Sequence, residues 1–257
     1  MEPRVIHERD GNLAILLIHN PRLRNALSEG IVSQLRCALL VLREDPQVGT
    51  VIIGSAVEGV FVSGGNIREL RGLDGSAEGL RFAEVMQSVL ELIEEFPKPV
   101  LAVINGFCLG AGMELAMAAD LRIAADTAVF SSPQVGLGIT PGLGGGQRMI
   151  RLCGRGHAKR LILTGERIDA AEAYRLGLVD QLVPAADLWR AAKAVAMKLS
   201  SKPQEAMTLA KRAVNHSSQS SLASGCAYEA ALFGLVHHSP ASGDLPLGTA
   251  QSGATCD

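Results

Sequence analysis

One carboxylate sits inside an otherwise apolar stretch, G-A-G-M-E-L-A-M at residues 110–117. Burying Glu114 among such neighbours costs free energy unless the group is partnered or used. Just ahead, Val100 to Ile104 has the composition of a buried strand, and Asn105 to Gly112 reads as a small-residue turn. A helix beginning near Ala111 would aim free N–H groups and the positive end of its dipole back into that turn. Gly106, Gly110 and Gly112 permit close backbone approach. Together these residues describe a site for a developing oxyanion beside an acid.

Further stretches join it. G-V-F-V-S-G-G-N-I-R-E-L from Gly59 is a strand end running through a Gly-Gly turn into a short helix, and P-R-L-R-N-A-L from Pro21 carries two arginines on a loop. Later comes S-S-P-Q-V-G-L-G-I-T-P-G-L-G-G-G-Q-R, a glycine-rich turn leading into a helix. By themselves Ser63-Gly64-Gly65 is compatible with a tight strand–helix turn, and Arg22 with Arg24 is compatible with a solvated loop. G-L-G-G-G-Q lacks the Lys-Ser/Thr ending of a phosphate loop, G-A-G-M-E-L lacks the third glycine of a dinucleotide turn, and no G-x-S-x-G occurs.

The ordered set R-N-A-L, S-G-G-N, G-A-G-M-E and P-G-L-G-G-G-Q-R resembles the crotonase (enoyl-CoA hydratase/isomerase) superfamily over roughly residues 5 to 236. The resemblance implies that Ser63 and Ala111 contribute main-chain N–H groups, with Gly64 and Gly110 beside them, to the oxygen of an acyl-CoA thioester. Two such donors stabilise an enolate, and losing one typically costs about 3 kcal/mol of barrier. It implies that Arg22 and Arg24 meet phosphates of coenzyme A, that Ala26 and Leu27 wall the adenine, and that Gly65, Asn66 and Ile67 form the other wall. Relatives often carry Asp where this chain has Asn66, a mild departure because backbone contacts dominate there.

Gln134 is the larger departure. Two-carboxylate hydratases carry Glu at that position, whereas an amide holds a water but exchanges no proton at neutral pH. Glu114 is then the remaining acid/base. Gly142, whose N–H in relatives helps hold the water, is kept. The resemblance therefore implies an enoyl-CoA hydratase-like lyase, with alternatives open: a double-bond isomerase using Glu114 alone, an acyl-CoA-binding relative with impaired catalysis, or another activity of the superfamily such as decarboxylation or thioester hydrolysis. No cofactor is expected beyond the coenzyme A of the substrate.

The elements that must position these groups alternate. Val5 to Ile18 reads as a hairpin turning at Asp10-Gly11, and Ser28 caps a helix whose face is Ile31, Leu35, Leu39 and Leu42. Val48–Ile53 reads as a strand, and 78–95 as a helix with Val85, Val89, Leu92 and Phe96 on one side. Leu121 to Ala124 and Ala128 to Phe130 follow as strands; helices then fall at about 156–164, 170–176, 186–199, 203–215 and 219–236, with a strand near Leu178 to Leu182. Alternation of this kind argues for an α/β layer. The resemblance makes it a crotonase-like spiral of ββα units over 1–195, a helical trimerisation segment over 196–238, and a tail over 239–257. That tail is rich in Ser, Gly, Ala, Pro and Thr and lacks the charged closing helix of relatives; its composition argues against fixed structure.

At 257 residues and 47% hydrophobic composition the chain can bury a substantial core. A net charge of −2, from 24 basic and 26 acidic residues, gives no field for nucleic acid or an anionic membrane. No apolar run approaches the roughly 20 residues of a membrane helix, and the charged beginning does not read as a signal peptide, so a cytoplasmic location is expected. The 5 cysteines are scattered and expected to be free thiols, mostly in the core. His237 and His238 are the only adjacent histidines, and neighbouring positions point different ways, so no metal site is expected. The family resemblance implies an acyl-CoA substrate and assembly as a homotrimer or dimer of trimers.

Overall fold

Gly11, with φ 59, turns the chain between β1 (Arg4–Asp10) and β2 (Leu13–His19), which pair antiparallel from Arg4 opposite His19 to Asp10 opposite Leu13. The computed structural model describes residues 2–237, so His238 and the tail at 239–257 lie outside the described residues. Helix α1 (Glu29–Glu44) starts at Ser28, whose side chain accepts the Ile31 N–H at 3.3 Å, and buries Ile31, Val32, Leu35, Ala38 and Leu39. It ends where Lys98 donates to the carbonyls of Leu42 and Asp45, a cationic cap on the negative end of the helix.

Three successive units then share one plan. β3 (Thr50–Ser55) and β4 (Val60–Val62) lead to α2 (Ile67–Gly72) and α3 (Gly75–Glu94); β5 (Val100–Ile104) and β6 (Phe107–Leu109) lead to α4 (Ala111–Ala118); β7 (Leu121–Ala125) and β8 (Val129–Ser131) lead through a 3-10 turn (Pro133–Leu137) to α5 (Gly145–Thr164). Completing this part are β9 (Arg167–Asp169), α6 (Ala170–Arg175), β10 (Gln181–Val183) and α7 (Leu188–Ser200). The first strand of each pair enters a sheet ordered β1-β2-β3-β5-β7-β10 and the second a smaller sheet ordered β4-β6-β8-β9. Each unit thus moves one strand along both sheets, which is the expected spiral of ββα units. Within the larger sheet β3 and β5 are fully buried and apolar-rich because both faces are covered. One face packs against α1, α3 and α4; the other holds Ile15, Ile52, Leu101, Val103 and Ile123 against Leu188, Ala192 and Ala196 of α7.

Several expectations shift. The buried stripe of α3 runs through Phe82, Met86, Val89, Leu90 and Ile93, leaving Val85 at its edge and 50% exposed. Helix α5 runs from Gly145 straight out of the glycine-rich turn and is broken internally at Gly154 (φ 77, ψ 164), so the helix expected after that turn and the one expected at about 156–164 form a single kinked element. Strand β9, with Ile168 alone buried, adds antiparallel to β8 and is too short for a pattern to reveal. Of the described cysteines only Cys108 is buried, while Cys37 and Cys226 are exposed, which corrects the expectation of mostly core thiols.

The described residues divide into two compact units, the first ending at Gln204 and the second beginning at Glu205. Helix α7 lies in the first of these units, on the sheet it covers. In the second unit α8 (Gln204–Ser217) and α9 (Leu222–His237) meet through His216 and Tyr228, with ring centroids 4.4 Å apart. Among the described residues no helix is long and apolar enough to cross a membrane, and no group of three His, Cys, Asp or Glu side chains is placed to hold a metal ion.

Candidate active site

Strands β4 and β6 are parallel neighbours with Val62 opposite Cys108, so Ser63-Gly64 and Gly110-Ala111 leave adjacent strand ends in the same direction. The turns meet closely. A Cβ built on Gly110 would lie 3.7 Å from the Gly64 Cα, and one on Gly112 would lie 2.4 Å from the Val62 carbonyl oxygen. Gly64 and Gly110 also adopt φ of 128° and 51°, conformations that side chains resist. Ala111 is the first residue of α4, where main-chain N–H groups have no partner within the helix. The structure thus brings together Ser63, Gly64, Gly110 and Ala111.

The arginine loop is tied to the same place. The Leu27 N–H donates to the Gly64 carbonyl and the Asn66 N–H donates to the Leu27 carbonyl, both at 2.8 Å. Two buried amides shape it from beneath. Asn25, at φ 56, donates through Nδ2 to Ile18, Ser55 and Phe61, while its Oδ1 accepts the Asn20 N–H at 2.6 Å; Asn20 donates to the Ala26 carbonyl at 3.0 Å. Arg22 and Arg24 are exposed, Ala26 is buried, and Leu27 is 0% exposed. Leu27 has its side chain in the core and its main chain bonded to Gly64 and Asn66. Asn66 caps α2 by accepting the Arg68 N–H, Gly65 is half-buried, and Ile67 is exposed.

Glu114 lies in α4, all of whose residues are buried, and is itself 3% exposed. Oε1 accepts N–H groups of Leu143 and Gly145, each at 2.9 Å, and Oε2 accepts from Gln134 Nε2 at 3.3 Å. Burial pushes its pKa up; the hydrogen bonds from Leu143, Gly145 and Gln134 and the charge of Arg148 pull against that. The carboxylate stands at the N-terminus of α5, whose own N-cap, Gly144, has no side chain. Glu114 therefore supplies from α4 the acceptor that α5 lacks. Close approach demands glycine here, since a Cβ on Gly145 would lie 2.5 Å from Glu114 Cγ.

Gln134, 6% exposed, accepts the Ser132 hydroxyl at 2.8 Å through Oε1, which turns its NH₂ toward Glu114. The amide thus serves the carboxylate as a donor. Gly142 is fixed nearby by its carbonyl, which accepts Gln87 Nε2 from α3 at 2.7 Å. Leu143, Gly145, Ser132, Gln87, Asn20 and Asn25 were not singled out by motif reading. Only the run G-L-G-G-G before a helix carried a signal: a helix start without its own Ser, Thr, Asp or Asn cap must find one elsewhere.

Known proteins resemble this chain in sequence and in fold. The family model described as enoyl-CoA hydratase/isomerase matches residues 8–243. The chain is 42% identical over 231 residues to a crotonyl-CoA hydratase of Syntrophomonas wolfei, covering 90% of this chain and 88% of that protein. It is 40% identical over 230 residues to a short-chain-enoyl-CoA hydratase of Clostridium acetobutylicum, with the same coverage of 90% and 88%. The crystal structure of an enoyl-CoA hydratase from Bacillus anthracis superposes with a TM-score of 0.88 at 34% identity, over 92% of each chain.

Proposed function

This chain belongs to the enoyl-CoA hydratase/isomerase family, and on that footing we propose that it adds water reversibly across the double bond of a short 2-enoyl-CoA thioester. The observation that carries this reading is a buried carboxylate, Glu114, gripped by two N–H groups beside the turns of Ser63 and Ala111. In the forward direction Glu114 takes a proton from water while the water oxygen bonds to C3. The C2=C3 electron pair moves onto the thioester, forming an enolate. Glu114 then returns the proton to C2 and the carbonyl reforms, so one water is consumed and the carboxylate is regenerated.

The N–H groups of Ser63 and Ala111 would receive the enolate oxygen. Neighbouring strands run ~4.8 Å apart, within the ~6 Å that two donors each ~2.9 Å from a common oxygen can span. Arg22 and Arg24 would meet phosphates of coenzyme A, which enters as part of the substrate; no other cofactor is required. The free thiols at Cys37, Cys108, Cys153 and Cys226 suit a cytoplasmic compartment. A homotrimer or dimer of trimers is the assembly this reading implies, and light scattering would read it.

Gln134 favours a second reading. With a neutral amide where a second acid would stand, a double-bond shift needs only Glu114, which removes a proton and redelivers it along the chain. Loss of conjugated absorbance from crotonyl-CoA, beside its gain from a 3-enoyl-CoA, separates the two. Turnover of neither substrate, with acyl-CoA binding retained, would instead mark a binding protein.

A further inference from the structure

We infer that Arg148 is a positioning residue for Glu114, working with Glu94 to hold closed the turn from Leu143 to Gly145 whose N–H groups grip the carboxylate. The inference rests on the reading of Glu114 as the acid/base. Arg148 Nη1 donates to the Leu143 carbonyl at 2.8 Å, while Nε and Nη2 both donate to Glu94 Oε2 of α3, at 3.1 and 2.7 Å. Leu143 is therefore held on both sides of its residue, its N–H on Glu114 and its C=O on Arg148. The turn wraps the guanidinium at a glycine: Gly144 has φ 83, and a Cβ there would fall 2.5 Å from Arg148 Nη1.

Helix α3 also secures the preceding residue, since Gln87 donates to the Gly142 carbonyl at 2.7 Å. Gln87 and Glu94 are two helical turns apart on one face of α3. An exposed ion pair would deserve little weight. Here Glu94 is 42% exposed, but the arginine side chain is only 13% exposed and bonded at three of its N–H groups. It is the kind of arrangement that fixes geometry rather than merely adding charge.

Electrostatics point the same way. Arg148 acts on Glu114 from α5, and Glu94 faces the arginine from α3. From the turn after β8 comes Gln134, which is neutral. Strands β4 and β6, packed on α4, read V-F-V and F-C-L and carry no charged residue; burial pushes the Cys108 thiol up, so it stays neutral. Removing the guanidinium would leave Glu114 with its burial penalty and a slacker pair of donors, which favours the protonated form.

The test uses the full-length Arg148→Met, Arg148→Lys and Glu94→Gln proteins. With crotonyl-CoA, Arg148→Met is expected to lower kcat by ~10- to 100-fold while KM moves by less than ~3-fold. The acid limb of its pH profile should move to higher pH, with Arg148→Lys recovering part of both. A second readout needs no turnover: the 13C-labelled carboxyl resonance of Glu114, identified by its loss in Glu114→Gln, should titrate at higher pH in Arg148→Met and by a smaller step in Glu94→Gln. An unchanged titration in folded Arg148→Met overturns the inference, whatever happens to its thermal midpoint. If Arg148→Met does not fold, an unchanged Glu114 titration in both Glu94→Gln and Arg148→Lys overturns it instead. A shifted titration in a protein that turns over neither enoyl-CoA upholds the positioning role and rejects the enzymatic reading.

Discussion

Around Ser63 and Ala111 the site is made of main chain delivered by two neighbouring three-residue strands. Around Glu114 it is made of a side chain whose setting is gathered from α3, the 3-10 turn after β8 and the first turn of α5. The first region depends on strand spacing and on glycines at the turns, so the identity of its side chains matters little. The second depends on individual atoms converging in a buried pocket, where displacement of a few tenths of an ångström changes both the partners and the charge of the acid. Precision has therefore been built in by backbone pairing on one side and by long-range side-chain bonding on the other.

Substitutions can strain that contrast. The largest effect is expected from Glu114→Gln, which removes the proposed acid/base and should lower kcat on crotonyl-CoA by about 10³-fold. Its stability should move in the opposite sense. Burial raises the folded pKa of Glu114, so the wild type carries no penalty below the ordinary carboxylate range and acquires one as pH rises through the raised value. Calorimetry should therefore find Glu114→Gln melting above wild type at pH 8, with the gap closing toward pH 4.

Gly145→Ala should come next, because its methyl group would occupy space held by Glu114 Cγ. A fall in kcat on the order of 10²-fold is expected from displacing the acid, with a lower thermal midpoint by calorimetry. Gln134→Glu sharpens the comparison differently. It places two carboxylates in contact, so their protons should come off in separated steps, and crotonyl-CoA hydration should rise by about 10-fold as a second acid/base becomes available, while 3-enoyl-CoA isomerisation does not. A fall in hydration would show that the donor role of Gln134 outweighs the missing acid.

The smallest effect belongs to the main-chain side. Ser63→Ala removes one side-chain bond, 3.3 Å to the Leu23 carbonyl, and leaves the peptide N–H in place. Steady-state kinetics should find kcat/KM within about 3-fold of wild type, a change worth less than about 1 kcal/mol. A loss as large as that of Gly145→Ala would erase the distinction between the two regions.

Local physics explains which parts could be read in advance. Asp10-Gly11, Ser28, the apolar run from Val100 to Ile104 and the helix start at Ala111 each specify their element from a few adjacent residues, and the structure has the hairpin, the cap, the strand and the helix in those places. Glu114 was legible as a carboxylate in apolar surroundings. Its partners were not, because Leu143 and Gly145 donate through main chain from a distant turn, and main-chain groups leave no mark on residue type. The residue type of Leu27 does not say which way it faces, and register with Gly65 turns its side chain into the core. Val85 failed similarly: a helical stripe has a centre and an edge, and only the packed partner decides between them.

Asn20 and Asn25 have a consequence for association. They bolt down both ends of the short loop that carries Arg22 and Arg24, from below and with fully buried amides. An anion reaching those guanidinium groups meets a backbone whose freedom was already surrendered when the chain folded, sparing the ~1–2 kcal/mol of entropy that ordering each loop residue would otherwise demand. Only the two long side chains are left to settle. A loop that looks flexible by composition is thus a rigid peg with two long side chains at its tip.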